Sequence, residues 1–170
     1  KIGRGLEMNV VGVDIVQRHA GVKYVPRDEA LAAADIIVCA MNLTRENSGY
    51  FGGERLRCAR RGAIFVNIAR GEFSPAADLL RLLDDGHLGG VGLDVYAGEK
   101  ALAVALRRGE RDLADDNMRA VLELARRPNA ILTPHNAFNT HEAVERKSQQ
   151  SVEQVLAFRA TGAFTWPVPL

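Results

Sequence analysis

An arginine, a carboxylate and a histidine stand just past three apolar runs of this sequence. Arg70 lies in Val66-Asn67-Ile68-Ala69-Arg70-Gly71, Glu99 follows Gly92-Leu93-Asp94-Val95-Tyr96, and His135 closes Thr133-Pro134-His135. A guanidinium can grip a small anion through two parallel charge-assisted bonds. An imidazole, with an ordinary pKa of about 6.5, can give and take a proton near neutral pH. A carboxylate beside it would orient the ring and favour its charged form. Each residue also has an ordinary reading. An arginine after a buried strand can cap a helix or pair with a surface acid, and a glutamate in a loop is usually just solvated. A lone histidine is more often surface or satisfied core, which is the reading given to His19, His87 and His141.

To act together the three residues need a scaffold that ends several strands at one rim. Apolar runs recur at Met8 to Asp14, Val22 to Val25, Asp35 to Met41, Ala63 to Ile68, Gly90 to Tyr96 and Ala130 to Thr133. Their hydrophobicity is continuous rather than alternating, which predicts strands buried on both faces. Helical patterns lie between them. Ser74 reads as an N-cap with Pro75 at the first helical position, followed by Ala76, Leu79, Leu80 and Leu83 on one stripe and Gly86 as the stop. A second pattern runs from Asp112 to Arg127, with Met118, Val121, Leu122 and Ala125 on one face and Pro128-Asn129 behind it. The last begins near Asn139, where Glu142 suggests a capping box, and runs through Val144, Val152, Val155 and Leu156 to Gly162. This alternation predicts an α/β fold, a doubly wound parallel sheet with helices on both faces and ligands at the carboxyl ends of its strands. Asp14, Met41, Arg70, Asp94 and His135 fall at those ends.

Composition narrows the partners. The 170 residues suffice for one domain with a full core, and 47% apolar with 25% charged residues is ordinary globular composition. Lys plus Arg, 22, nearly balances Asp plus Glu, 21, so the chain has no basic footprint for nucleic acid or an anionic membrane. A small molecule is the expected partner. Cys39 and Cys58 lack metal-ligand spacing and read as reduced thiols of a cytoplasmic protein, Cys39 in the core. No apolar stretch approaches the roughly 20 residues of a membrane span.

Taken in order, the motifs resemble the D-2-hydroxyacid dehydrogenase family over essentially the whole chain. They are Asn42-Leu43-Thr44, Asn67-Ile68-Ala69-Arg70-Gly71, the helix from Ser74, Gly89 to Tyr96 with Glu99, and Asn129 to His135 followed by Asn136-Ala137-Phe138-Asn139-Thr140. The 35 residues between Glu99 and His135, with a helix inside, resemble the D-lactate dehydrogenase branch. The resemblance implies a Rossmann-like NAD-binding domain over residues 1–160, partial at its start, with 161–170 a remnant of a substrate domain. It also implies hydride transfer between NAD and a 2-hydroxy acid or 2-keto acid, in a cytoplasmic parent protein that forms homodimers. By the same resemblance Arg70 holds the substrate carboxylate, His135 carries the proton and Glu99 hydrogen-bonds the imidazole. Asp14 accepts from the adenosine ribose and repels a 2′-phosphate, with Arg18 nearby weakening that preference. Gly3 and Arg4 end the phosphate-binding turn, Cys39, Ala40 and Met41 line the dinucleotide, and Asn67, Ile68 and Ala69 sit close to it. Asp94 faces the nicotinamide carboxamide, or instead caps the strand end or holds the loop carrying Glu99.

The chain also departs from the pattern. Of the glycine fingerprint that should meet the pyrophosphate, only Lys1-Ile2-Gly3-Arg4 matches, its end. Ten residues separate Gly3 from Asp14, a shortage of about seven, or roughly two helical turns. The chain therefore reads as a fragment whose first strand is missing and whose first helix is short, a weak NAD binder with no turnover of its own. Trp166, between proline-rich flanks, reads as a docking anchor. Two other functions fit parts of the pattern. An NAD-responsive dimerisation or corepressor-like module would share the fold but have no need of Arg70, Glu99 and His135. An S-adenosylmethionine methyltransferase would share the glycine turn and the acid, but not the later motifs.

Overall fold

The computed structural model of the chain describes residues 1–110 and 113–166. The chain divides into two compact units, Lys1–Pro134 and His135–Leu170. In the first unit every apolar run becomes a strand, shorter than the run, and in β5 shifted two residues toward the start of the chain: β1 (Val11–Gly12), β2 (Lys23–Tyr24), β3 (Ile36–Cys39), β4 (Ala63–Asn67), β5 (Leu88–Leu93) and β6 (Ala130–Leu132). All pairings are parallel. The strands form two sheets, β1-β2 and β3-β4-β5-β6, and among the described residues no strand joins them. The expected incomplete parallel α/β sheet thus takes the form of an open edge at β3. The Asp35 and Cys39 carbonyls accept from the Ile64 and Ile68 amides, and the alternation of a strand then turns the backbone groups of Ile36 and Val38 toward that edge.

The helices of this unit are α1 (Ile2–Gly5), α2 (Arg27–Ala33), α3 (Gly53–Leu56), α4 (Ala76–Asp84), α5 (Glu99–Arg107) and α6 (Asp116–Leu124). The short first helix is confirmed, since α1 is one turn with no buried residue. Ser74 does not cap α4. Its hydroxyl accepts from Asn67, Pro75 occupies the cap position, and the Ala76 amide is met by Asn117 from another helix. A single helix from Asp112 is also corrected. Asp112 lies outside the described residues, Asp115 caps α6 by accepting from the Met118 amide, and α5 is a separate helix that the sequence reading missed. Its signals were short ones: Glu99 at the start, Arg107 at the end and Gly109 in the left-handed region just beyond.

One face of the larger sheet carries Phe65, Val91 and Leu93, packed with Leu79 and Leu82 of α4 and Val121 and Leu124 of α6 into the core. The other face carries Ile36 and Val38, in register with Ile64 and Val66, then Gly90 and Gly92, then Ile131. Ile36, Val38, Ile64 and Ile131 are exposed. The expectation of helices on both faces is met on one face only within this unit, and the cause is topological. Strands β3 to β6 advance in one direction, so right-handed crossovers place every connecting helix on the same side.

The second unit is dominated by α7 (His141–Thr161). Thr140, rather than Asn139, is its N-cap and accepts from the Ala143 amide, while Gly162 ends it in the left-handed region. Residues 162–166 fold back on this helix: Phe164 stacks on Phe158 at 4.7 Å, and the Trp166 amide donates to Gln154. The remaining tail, 167–170, lies outside the described residues. No helix of the described residues is long and apolar enough to cross a membrane.

Candidate functional site

Strand register places the expected residues that follow β3, β4 and β5 at one rim. Cys39, Asn67, Leu93 and Leu132 are cross-strand neighbours, and the ladder continues through Ile68 to Cys39, Asp94 to Asn67 and Thr133 to Leu93. Ala40, Met41, Ile68, Ala69, Arg70 and Asp94 follow the strands there. A cavity of about 470 Å³ opens between the ends of β3 and β4, lined by Ala40, Met41, Asn42, Leu43, Ile68, Ala69 and Arg70. Arg70 is the single charged residue in that lining.

Arg70 is exposed, and its guanidinium donates to the neighbouring Ala69 carbonyl at 2.8 Å. Among the described residues no carboxylate pairs with it, whereas Arg57, Arg60, Arg81 and Arg119 each have an acidic partner. The loop that presents Arg70 is built around Asn67. That side chain is fully buried, donates to the Arg70 carbonyl at 2.9 Å and Ser74 Oγ at 2.8 Å, and accepts from the Ala69 amide at 3.0 Å. Asn67 is therefore the frame of the loop, its amide consumed by the backbone it shapes. A 3-10 turn, Gly71–Phe73, follows. Only glycine fits at its start, because a β-carbon on Gly71 would lie 1.9 Å from the Tyr96 carbonyl carbon and 2.1 Å from the Ala97 nitrogen.

The next two strand ends are tied to each other. Asp94 is buried and accepts from Thr133 Oγ1 at 2.6 Å, and the Tyr96 hydroxyl donates to the Thr133 carbonyl. The bond from Thr133 joins the ends of β5 and β6 through the Asp94 carboxylate, a pairing with no signal in the sequence. Burial, then the charges of Asp94 and Glu99, push the Tyr96 phenol up to about 12. Glu99 is the first residue of α5 rather than a loop residue, entered through Gly98 in the left-handed region, and its amide donates to the Tyr96 carbonyl at 3.3 Å.

The remaining expected residues are placed as follows. Cys39 is buried in the core, where desolvation pushes its thiol up, and Met41 packs against the same cluster. Asp14 is exposed two residues beyond β1, with its carboxylate accepting from the Val16 amide at 3.1 Å. Gly3 and Arg4 lie in α1, and Arg4 donates to the Gly21 carbonyl. In the second unit His135 takes a left-handed backbone, φ 51°, unusual for a residue with a β-carbon, and meets Phe138 edge-on at 5.9 Å. Among the described residues no three His, Cys, Asp or Glu side chains group to hold a metal ion.

The comparisons with known proteins follow this geometry. The family described as D-isomer specific 2-hydroxyacid dehydrogenase, NAD binding domain, matches residues 1–137. A D-lactate dehydrogenase of Streptococcus pyogenes serotype M1 is 32% identical over 169 residues, 97% of this chain and 50% of the relative. A glycerate dehydrogenase of Methylorubrum extorquens is 32% identical over 160 residues, 94% of this chain and 45% of the relative. The crystal structure of a D-lactate dehydrogenase from Aquifex aeolicus, complexed with NAD and lactic acid, superposes with a TM-score of 0.83 at 31% identity, covering 98% of this chain and 53% of that one. The chain spans about half the length of the curated relatives it matches.

Proposed function

We propose that this chain, which belongs to the D-isomer-specific 2-hydroxyacid dehydrogenase family through its NAD-binding domain, supplies the cofactor side of an enzyme that passes a hydride between NAD(H) and a 2-hydroxy acid/2-keto acid pair. The observation that carries the reading is the unpaired guanidinium of Arg70, alone in charge in the cavity at the strand ends. A planar fork without a protein carboxylate suits the carboxylate of a small keto acid, and gripping it at two oxygens fixes the carbonyl carbon for attack. To His135 we assign the proton that the carbonyl oxygen takes in reduction and returns in oxidation, and to Glu99 the role of its carboxylate partner.

NAD fits the rim chemically. Met41, Ala40 and Ile68 offer apolar surface to the dinucleotide, and Asp14 an exposed carboxylate to the ribose hydroxyls. When bound, NAD accepts or supplies the hydride. The part of this chain is to orient the acid and hold the proton. In the parent protein we assign a homodimer and a cytoplasmic place to the same family reading.

The test is titration of the chain with NADH, by fluorescence, and then with pyruvate, by the NMR resonance of the Arg70 side chain. Saturable NADH binding and a pyruvate-dependent Arg70 shift, both of about millimolar affinity, are expected. Arg70→Lys should weaken pyruvate about tenfold and leave NADH unchanged, because one ammonium cannot replace the fork. His135→Ala should leave both bindings intact. An Arg70 resonance indifferent to pyruvate would sink the reading.

A further inference from the structure

Asn117, the second residue of α6, belongs to none of the motifs that point to the chemistry. Its side-chain amide nevertheless joins two backbone segments distant in sequence. Oδ1 accepts from the Ala76 amide at 2.7 Å, and Nδ2 donates to the Ala97 carbonyl at 3.1 Å. Ala76 opens α4 directly after the loop that carries Arg70, and Ala97 stands two residues before Glu99. Gly71 and Tyr96 bring the same two segments into contact. Asn117 itself is held, because Asp115 caps the start of α6 and α6 packs on α4 through the core.

We propose that Asn117 is a positioning residue, which sets the spacing between the loop bearing Arg70 and the helix start bearing Glu99. The inference rests on the function proposed above for those two residues. An amide is suited to the task because it offers a donor and an acceptor at fixed geometry from one short side chain. An apolar residue there would strand the Ala76 amide, which has no carbonyl of its own helix to meet, and the Ala97 carbonyl. Misplacement of about 1 Å between groups that act on one substrate costs up to a hundredfold in rate, so a fixed spacing has functional value.

Asn117→Asp tests the assignment. Ionised, the new side chain still accepts from Ala76 but repels the Ala97 carbonyl; protonated, it can donate again. Amide hydrogen exchange by NMR, each variant referred to the wild-type chain at the same pH, reads both segments. At about pH 7 the variant should exchange roughly tenfold faster at Glu99 and Leu102 while Ala76 stays protected, and at about pH 4 it should return toward wild type. Asn117→Ala should lose protection at both pH values. The wild-type reference absorbs the titration of the neighbouring carboxylates Asp78, Glu99, Asp115 and Asp116. The amides of Phe65 and Val91 report whether the sheet stays folded. If Asn117→Ala unfolds, the Asp variant, still referred to the wild-type chain at each of the two pH values, carries the test. Loss at one segment alone in Asn117→Ala, or no recovery of Asn117→Asp at low pH, would overturn the assignment. Pyruvate titration of Arg70 separates it from the parent reading. If wild type ignores pyruvate while both segments respond, the function falls and the positioning role stands. If wild type binds pyruvate and Asn117→Asp at about pH 7 binds equally well, the positioning role falls.

Discussion

The Tyr96 hydroxyl donates to the Thr133 carbonyl, so the segment leaving β5 is tied to the end of β6 by a side chain that titrates. Its phenol is pushed up to about 12, by burial first and then by the charges of Asp94 and Glu99. An unfolded tyrosine ionises at about 10. Below that pH both states hold the proton and the stabilising contribution of the folded environment is fully present. Between about 10 and 12 the unfolded chain ionises and the folded one does not, so stability falls across that window. Urea unfolding at about pH 9, 10.5 and 11.5 should show the fall in wild type. Tyr96→Phe should start lower, for want of the hydrogen bond, and show less of it. Equal slopes in the two proteins would rule out Tyr96 as the source.

Gly71 allows no side chain at all. A methyl there would overlap the Tyr96 and Ala97 backbone, and backbone cannot rotate away as a side-chain end can. Gly71→Ala should therefore cost about 3 kcal/mol or more, at the upper end of overpacking. A smaller but folded population should also lose the Arg70 response to pyruvate. Urea midpoints together with the Arg70 titration check this. A change below about 0.5 kcal/mol would mean that the two loops part easily.

How much of this was legible depends on where the information is stored. Val91 and Leu93 in one run, or Leu79 and Leu83 on one stripe, announce strand and helix because burial repeats with a fixed period. The arginine, glutamate and histidine stand out as candidates because they follow such runs. Ser74 was misread because its cap signal is local, while its actual partner, Asn67, lies seven residues upstream and competes for the hydroxyl. Helix α5 was missed because its buried residues, Leu102 and Ala105, make a weak stripe. Asn117 gave no signal. Its two partners lie 41 and 20 residues away in sequence, and only the fold brings them together. That the first unit's helices share one face of the larger sheet was also beyond the reading, since apolar runs reveal burial but not which side a crossover takes.

The open edge has a consequence of its own. Ile36 and Val38 turn backbone groups outward along β3 while their side chains join Ile64 and Ile131 on an exposed apolar face. An unpaired edge beside such a face is a template for another strand. The chain should associate with rising concentration, and Val38→Lys, which places a charge on both edge and face, should weaken association by at least about tenfold. Sedimentation over a range of concentrations measures it. A monomer at every concentration in wild type would show that the edge is protected.

The last prediction concerns turnover. Pyrophosphate binding in such folds relies on a glycine turn and the positive end of a helix, and α1 is a four-residue turn whose Arg4 is engaged with Gly21. Arg70 faces solvent, so its attraction for an anion is screened and a hydride in transit is not shielded from water. We therefore expect the 170-residue chain, at millimolar NADH and pyruvate, to show no oxidation of NADH. Joined to the remaining half of one of its relatives, the same rim should reduce 2-keto acids, and Arg70→Lys and His135→Ala should each then lower turnover by about a hundredfold or more. In that joined protein Asp14→Ala should raise the requirement for NADH several-fold while leaving the keto acid requirement unchanged, because it removes a ribose contact and nothing at the reacting carbon. Absorbance assays across several chain lengths of keto acid make the comparison. Turnover by the isolated chain would show that the rim residues alone suffice. A joined protein indifferent to His135→Ala would assign the proton to another group.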